Sequence, residues 1–410
     1  MTGKRTHRLP LLHDWHTHPL LYAAFMDGVH LGANPSETRD EAIGRIRAHA
    51  RGPAWTIAHG WNSARYSLTA GDFADLPPLV IFDLSLHGLI VNVAGLALLR
   101  RIDPEIATHL GDSEWTERHL NRVLNVFAGE GASPERLQRF YAWLLQEHGI
   151  HHADEMLLVD GREIELFDEA GLADRVRFWA APERHADLSP ALRSRVHGIK
   201  LFTDGALGVR TAALGRPYRG SSDHGLLIHE SAALERLLSR CLGAGMAMAV
   251  HAIGDRAIDQ VVAAVERVGL PAGREFRIEH AQFISEATAR RARALGIRLC
   301  MQPNFSDDSR HYADRLPDGY AERNNPFRML IDRVGYVPGH DLAFGSDGMP
   351  HGVREGLRQS LFPAFPGQVL TLDEFVAGYG PAGATDREIE VAIDGDDRSV
   401  THRVVVSGAG

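Results

Sequence analysis

The feature that most constrains this chain is a repeat of form, not of sequence. A short apolar run is followed by a loop and then a helix-like segment, and the cycle begins again. Eight such runs are present, at residues 11–16, 151–155, 176–181, 198–202, 246–251, 276–280, 297–302 and 342–346. In the second half they alternate with helical periodicity, the mark of parallel strand–helix units. Eight units predict an α/β fold, a (β/α)8 TIM-like barrel, whose working end lies where the strands finish. A doubly wound sheet is the competing architecture, but no Gly-rich dinucleotide fingerprint supports it.

Helix punctuation agrees with this reading. Ser133-Pro134-Glu135 reads as N-cap, N1 proline and first-turn acid. Asp255 can cap a helix over 255–269 whose Ile258, Val261, Val262 and Val265 share one face. Ser285 can cap the next helix, with Gly296 as its stop. The barrel is predicted over residues 1–365. The first strand is followed by a long excursion, about residues 19–150, holding two more strand-like runs at 54–61 and 79–88. It reads as an insertion over the barrel mouth, not a separate domain. Residues 366–410 read as a C-terminal extension. There, polar and apolar residues alternate around Asp394-Gly395, a hairpin signal. The hairpin is expected to lie beside the barrel or against another subunit, which leaves a homo-oligomer open.

Charge narrows the partners. A net charge of −9 argues against nucleic acid and anionic membranes, both of which need a basic face. The start, MTGKRTHRLPLLHDW, has no apolar stretch of signal-peptide length, and the two cysteines, Cys241 and Cys300, form no disulfide framework. The expectation is a cytoplasmic protein acting on a small molecule.

Polar residues finish the apolar runs. His16 and His18 close the first, Lys200 the fourth, His251 the fifth and His280 the sixth, and Asp347 follows the eighth. Residues two apart on a strand point the same way, so His16 and His18 can both face the barrel axis. With 23 histidines in 410 residues, one His-x-His pair decides little. The ordered set is much harder to get by accident. It suits Zn²⁺ or a similar divalent ion, one or two in number. Lys200 is the odd member, since an ammonium repels cations. Desolvated, it can lose its proton, add carbon dioxide and become a carbamate that bridges two metals.

The stretches DWHTHP, HGWN (59–62), HGLIVNVAGL (87–96), GIKLFTDGALGVRTAAL (198–214), HAIGDRAID (251–259), RIEHAQ (277–282), QPN (302–304) and GSDGMP (345–350) resemble the amidohydrolase superfamily. The similarity runs from about residue 10 to 350, and it is to the branch that includes N-substituted formamide deformylase. The resemblance implies a metal-dependent hydrolase of carbon–nitrogen bonds, amide-type but not peptide. It assigns His16, His18 and Asp347 to a first metal, His251 and His280 to a second, and carboxylated Lys200 to the bridge. Asp347 would also move protons. Relatives carry a β-sandwich built from both termini, and here it is expected to be absent or reduced to the terminal hairpin.

Substrate contacts are expected from His87, Asn92, Trp61, Arg210 and Gln302. Asp204 and Glu279 are candidates to orient the imidazoles, whereas Asp255 reads more as a helix cap. His151 and His152 lie at the wrong end of their strand and read as structural. The run 307–315 reads as a solvated loop. Two rival functions remain. One is a single-metal deaminase of a cyclic amidine, which usually needs a glutamate near the fifth-strand histidine and has little use for Lys200. The other is a catalytically silent barrel acting as a binding protein, against which stands the retention of all six ligand candidates.

Overall fold

The computed structural model describes residues 3–32, 36–52, 54–158, 160–383 and 385–407. Its centre is an eight-stranded parallel sheet formed by Leu12–Thr17, Ile150–Leu158, Val176–Ala180, Val196–Phe202, Ala247–Ala252, Phe276–His280, Arg298–Met301 and Leu342–Phe344. Each strand pairs with the next in chain order. The first and last meet at a seam. There, Asp347 N donates to His16 O at 2.7 Å. Asp14, within the first strand, accepts from Ser346 N at 2.8 Å and Ser346 Oγ at 2.5 Å. Gly345 permits this approach, because a Cβ there would fall 2.5 Å from His16 N. The (β/α)8 architecture read from the sequence is the architecture observed.

Helices cover the outside because their apolar residues fall on one face. In Asp255–Val268, Ile258, Val261, Val262 and Val265 are all buried. Ser133 caps Pro134–His148 by accepting from Arg136 N, and Gly149 ends that helix at φ 68°, a conformation that strains any residue with a Cβ. Ser285 caps Glu286–Ala294 as expected. Asp255 does not cap. Gly254 holds the cap position, and the Asp255 carboxylate accepts instead from Gly215 N and Tyr320 OH.

The insertion builds its own sheet from Val29–His30, Thr56–Trp61, Leu79–Asp83 and Leu89–Val91. Its small core includes Leu31, Ile46, Ala58, Phe73 and Ile81. Its far end returns to the barrel mouth, where His87, Leu120 and Leu124 line the central cavity. The terminal hairpin is present as Arg387–Asp394 and Ser399–Val406, and it gains a third strand, Lys4–Pro10, at its edge. Among the described residues, the two ends of the chain thus meet in one three-stranded sheet. Two helices, Val353–Leu361 and Leu372–Tyr379, follow the last barrel strand, and the second sets Tyr379 against Phe344.

The run 307–315 is not a solvated loop. Ser309, Tyr312 and Arg315 are buried. Tyr312 joins an apolar cluster with Leu207, Phe283 and Tyr320, which outweighs the charged appearance of the sequence. No helix among the described residues is long and apolar enough to cross a membrane.

Candidate metal centre

His16, His18, Lys200, His251, His280 and Asp347 line one cavity at the strand ends. Register explains most of this. Lys200 pairs with Ala249, and His251, two residues on, pairs with Glu279, so all three charged or polar side chains face inward. Simple alternation would then turn His280 outward. The backbone prevents it: φ is 70° at His280 and 48° at Ala281, so two successive side chains, Glu279 and His280, both serve the interior. Asp347 is also left-handed, at φ 56°. Such strain in residues with a Cβ costs about 1–3 kcal/mol each and persists where the surroundings impose it.

The ring nitrogens are oriented. Glu279 Oε2 lies 2.5 Å from His16 Nδ1. A carboxylate can only accept, so Nδ1 carries the proton and Nε2 offers its lone pair. Gln302 Oε1 lies 2.8 Å from His280 Nδ1 and fixes that ring in the same way. His251 Nε2 lies 3.2 Å from Gly205 O, which leaves Nδ1 free. Asp347 Oδ1 stands 3.0 Å from His18 Nε2 and 3.7 Å from His16 Nε2. Lys200 Nζ is 3.5 Å from His16 Nε2. Ligand-type atoms of His16, His280 and Asp347 all fall within 4.8 Å of one another.

Burial sets the protonation states. It drives His16, His251 and His280 well below the usual histidine value, helped by Lys200 for His16, His280 for His251, and His16 for His280. All three are therefore neutral imidazoles, the form that binds metals. Burial also lowers Lys200 to about 8, so a minor fraction of the amine, about a tenth, is neutral at pH 7.

The other expected contacts divide. His87 lines the cavity. Its Nδ1 is 2.7 Å from Glu117 Oε2, and Thr211 Oγ1 donates to the other Glu117 oxygen at 2.5 Å. Burial alone would lower His87, but Glu117 more than reverses this and raises it. Gln302 acts on His280 and is not among the residues lining the cavity. Asn92, Trp61 and Arg210 are not at the site. Asn92 is buried as the N-cap of Val93–Ile102, and its amide donates to the carbonyls of Phe73, Leu76 and Pro77. Trp61 packs on the insertion core and donates to Tyr66 O. Arg210 is solvent-exposed. Asp204 lies 3.4 Å from His251 Nε2, but its main work is to accept from Ala213, Ile253 and Gly254 N–H groups.

Three carboxylates near the site were not anticipated. Asp14 anchors the seam, and burial pushes it up to about 7. Glu155, likewise at about 7, accepts from Leu20 N and Leu157 N and sits 3.9 Å from His18 Nδ1. Asp14 could have been found, since it is the one carboxylate inside the first apolar run, two residues before His16. Glu155 finishes the second apolar run. Glu117, inside the insertion, carries no such signal.

The fold aligns with an uncharacterized metal-dependent hydrolase from Pyrococcus furiosus at TM-score 0.64 and 21% identity, over 91% of this chain and 81% of that one. A second, from Pyrococcus horikoshii, aligns at 0.60 and 24%, over 84% and 71%. At these identities the likeness is one of fold. In sequence, the YtcJ protein of Bacillus subtilis is 41% identical over 137 residues, 33% of this chain. LONG AFTER FAR-RED 3 of Arabidopsis thaliana is 34% identical over 156 residues, 37% of this chain. Each match spans 26% of the relative's own length. The profile described as the amidohydrolase family matches residues 7–357, and this chain belongs to that family.

Proposed function

We propose that this protein is a metal-dependent hydrolase that cleaves an amide-type, non-peptide carbon–nitrogen bond in a small molecule. The observation that carries it is the convergence of four histidines, one lysine and one aspartate on a single cavity, with the His16, His280 and Asp347 donor atoms within 4.8 Å of one another. The residues fit a divalent ion. His16, His251 and His280 are neutral by burial, and His16 and His280 each have one nitrogen fixed by an acceptor. His18 Nδ1 is buried without a hydrogen-bond partner, and Asp347 Oδ1 has only the His18 and His16 rings beside it. His16, His18 and Asp347 would hold a first Zn²⁺, and His251 and His280 a second. Lys200, its amine joined to carbon dioxide with loss of a proton, would bridge them as a carbamate.

Bound there, the ion supplies Lewis acidity toward the substrate carbonyl and lowers the pKa of water. The protein's own residues do the rest. Asp347 Oδ1 accepts the proton of the attacking water and returns it to the leaving nitrogen. His87, braced by Glu117, meets the substrate from the insertion side. Leu86, Leu120, Leu124, Leu157 and Phe202 exclude water from the remaining walls. The acidic net charge and free cysteines accord with a cytoplasmic enzyme with no nucleic-acid or membrane partner.

The test is a panel of amides and cyclic amidines, with N-substituted formamides first, assayed on zinc-replete protein and on His251→Asn. Amine release by the wild type alone is expected. Ammonia release from ring amidines would shift the assignment to a deaminase, and turnover unaffected by His251→Asn would remove it.

A further inference from the structure

A line of buried charge runs from the metal centre into the barrel interior. His16 Nδ1 meets Glu279 Oε2 at 2.5 Å, and the other Glu279 oxygen meets Arg277 Nε at 2.5 Å. Arg277 Nη2 donates to Asp154 Oδ2 at 3.1 Å and to Trp15 O at 2.9 Å, while its guanidinium stacks on Trp179 at 4.3 Å. Asp154 is then held from below by His13 Nε2 at 2.8 Å, Trp179 Nε1 at 2.8 Å and Arg177 Nη2 at 2.7 Å. His16, Arg277, Glu279 and Asp154 are all at most 2% exposed.

Ion pairs this deep are poor sources of stability, because desolvation offsets their attraction and apolar residues of equal volume do as well or better. The barrel interior already contains an apolar group, Met156, Trp179, Ala247 and Ala249, that could have been extended through these positions. The charges call for another explanation, and their geometry offers one. Glu279 can hold His16 only while its carboxylate is kept from turning. Arg277 keeps it from turning, and Asp154 holds Arg277 in place. Arg277 and Glu279 are two apart on one strand and so share the inward face, whereas Asp154 reaches them from the second strand.

We propose that Arg277 is a positioning residue of the metal centre, and that Asp154, at the inner end of this line, acts on metal affinity through it. The chain fixes His16 in the tautomer whose Nε2 faces the cavity and makes that nitrogen a stronger donor. Acceptors behind metal-bound imidazoles typically contribute 10–100-fold in affinity. This rests on the metal-centre reading above.

The experiment uses full-length protein stripped with a chelator and titrated with Zn²⁺ or Co²⁺ in competition with a chromophoric chelator. Melting of the metal-free form is followed in parallel. Glu279→Gln and Arg277→Lys are expected to bind about 10–100-fold more weakly, and Asp154→Asn to weaken binding in the same direction. Arg291→Gln, which breaks the exposed pair with Glu266, should leave affinity unchanged. The proton shared by His16 and Glu279 should give a far-downfield proton resonance in the wild type that Glu279→Gln abolishes. If Arg277→Lys does not fold, Glu279→Gln decides alone, since it exchanges one oxygen for an amide nitrogen. Wild-type affinity in Glu279→Gln overturns the positioning role and leaves the metal centre standing. Failure of the wild type to bind either ion overturns both.

Discussion

Asp154 and Asp347 are both buried aspartates, one at the inner end of the charged line and one at the cavity, and their surroundings are opposite. Asp154 receives hydrogen bonds from His13, Arg177, Trp179 and Arg277. Burial alone would raise it, yet Arg177, His13 and Arg277 hold its carboxyl well below the usual range. Asp347 sits on a left-handed backbone, with Oδ1 3.0 Å from His18 Nε2 and no arginine or backbone N–H on that oxygen, near the neutral imidazoles of His16 and His280. Both Asp154 oxygens are satisfied within the protein, whereas the cavity residues are arranged for something the protein does not itself supply. Buried polar groups are nearly always satisfied. An unsatisfied cluster at the functional end of a barrel therefore marks the site, while the satisfied one marks the support.

The contrast breaks most visibly in catalysis. Asp347→Asn keeps size and polarity but removes the proton carrier, so hydrolysis of any substrate found should fall by about 10²–10⁴-fold. Chemical denaturation should show folding stability close to the wild type. If Asp347→Asn keeps wild-type turnover, the two ends differ in geometry but not in role.

Asp154→Ala should show the reverse order of effects. It leaves Arg177 and Arg277 without their shared anion, and breaking a buried pair in this way costs about 3–5 kcal/mol. Urea midpoints at constant slope would measure it. A loss under 1 kcal/mol would mean that the floor network is ornamental. Metal addition tests the rim on the same scale. An ion that binds only the folded chain stabilises it by about 2.7 kcal/mol at a hundredfold excess over Kd. Zn²⁺ should thus raise the melting temperature of the wild type, and raise it less in a His16→Asn, His280→Asn double variant.

The barrel was legible because its strands are buried on both sides and read as apolar runs with polar ends. His16, His18, Lys200, His251, His280 and Asp347 could be listed from that pattern alone. His280 shows its limit, since its cavity-facing side chain depends on a positive φ that strict alternation excludes. The insertion was much less legible. Asn92, in an apolar stretch, looked like a substrate contact and proved to be a helix cap, because a buried amide serves a loop as well as a ligand. Glu117 carries no periodic signal, and only its docking against Thr211 brings it to His87. The strand Lys4–Pro10 was missed because its residues are mostly exposed and its partner lies nearly four hundred positions away.

The smallest effect concerns Asp308, which shares neither end's character. It lies in the run that looked solvated, with Gln282 Nε2 donating to its Oδ2 at 2.9 Å. Burial pushes it up to about 7 from an ordinary 3.8, with Asp307 adding to the rise. A carboxyl raised on folding binds its proton more tightly in the folded state than in the unfolded one. Between about pH 4 and 7 the folded state therefore holds more protons, and stability falls as pH rises through that window. Asp308→Asn removes the titration while keeping a group that can bond to Gln282. Its stability should exceed that of the wild type at pH 8 by at most a few kcal/mol, with the difference vanishing near pH 4. Unlike Asp154→Ala it stabilises, and unlike Asp347→Asn it leaves turnover unchanged. A variant less stable at pH 8 than the wild type would show that the ionised Asp308 carboxylate is held by its surroundings, as Asp154 is.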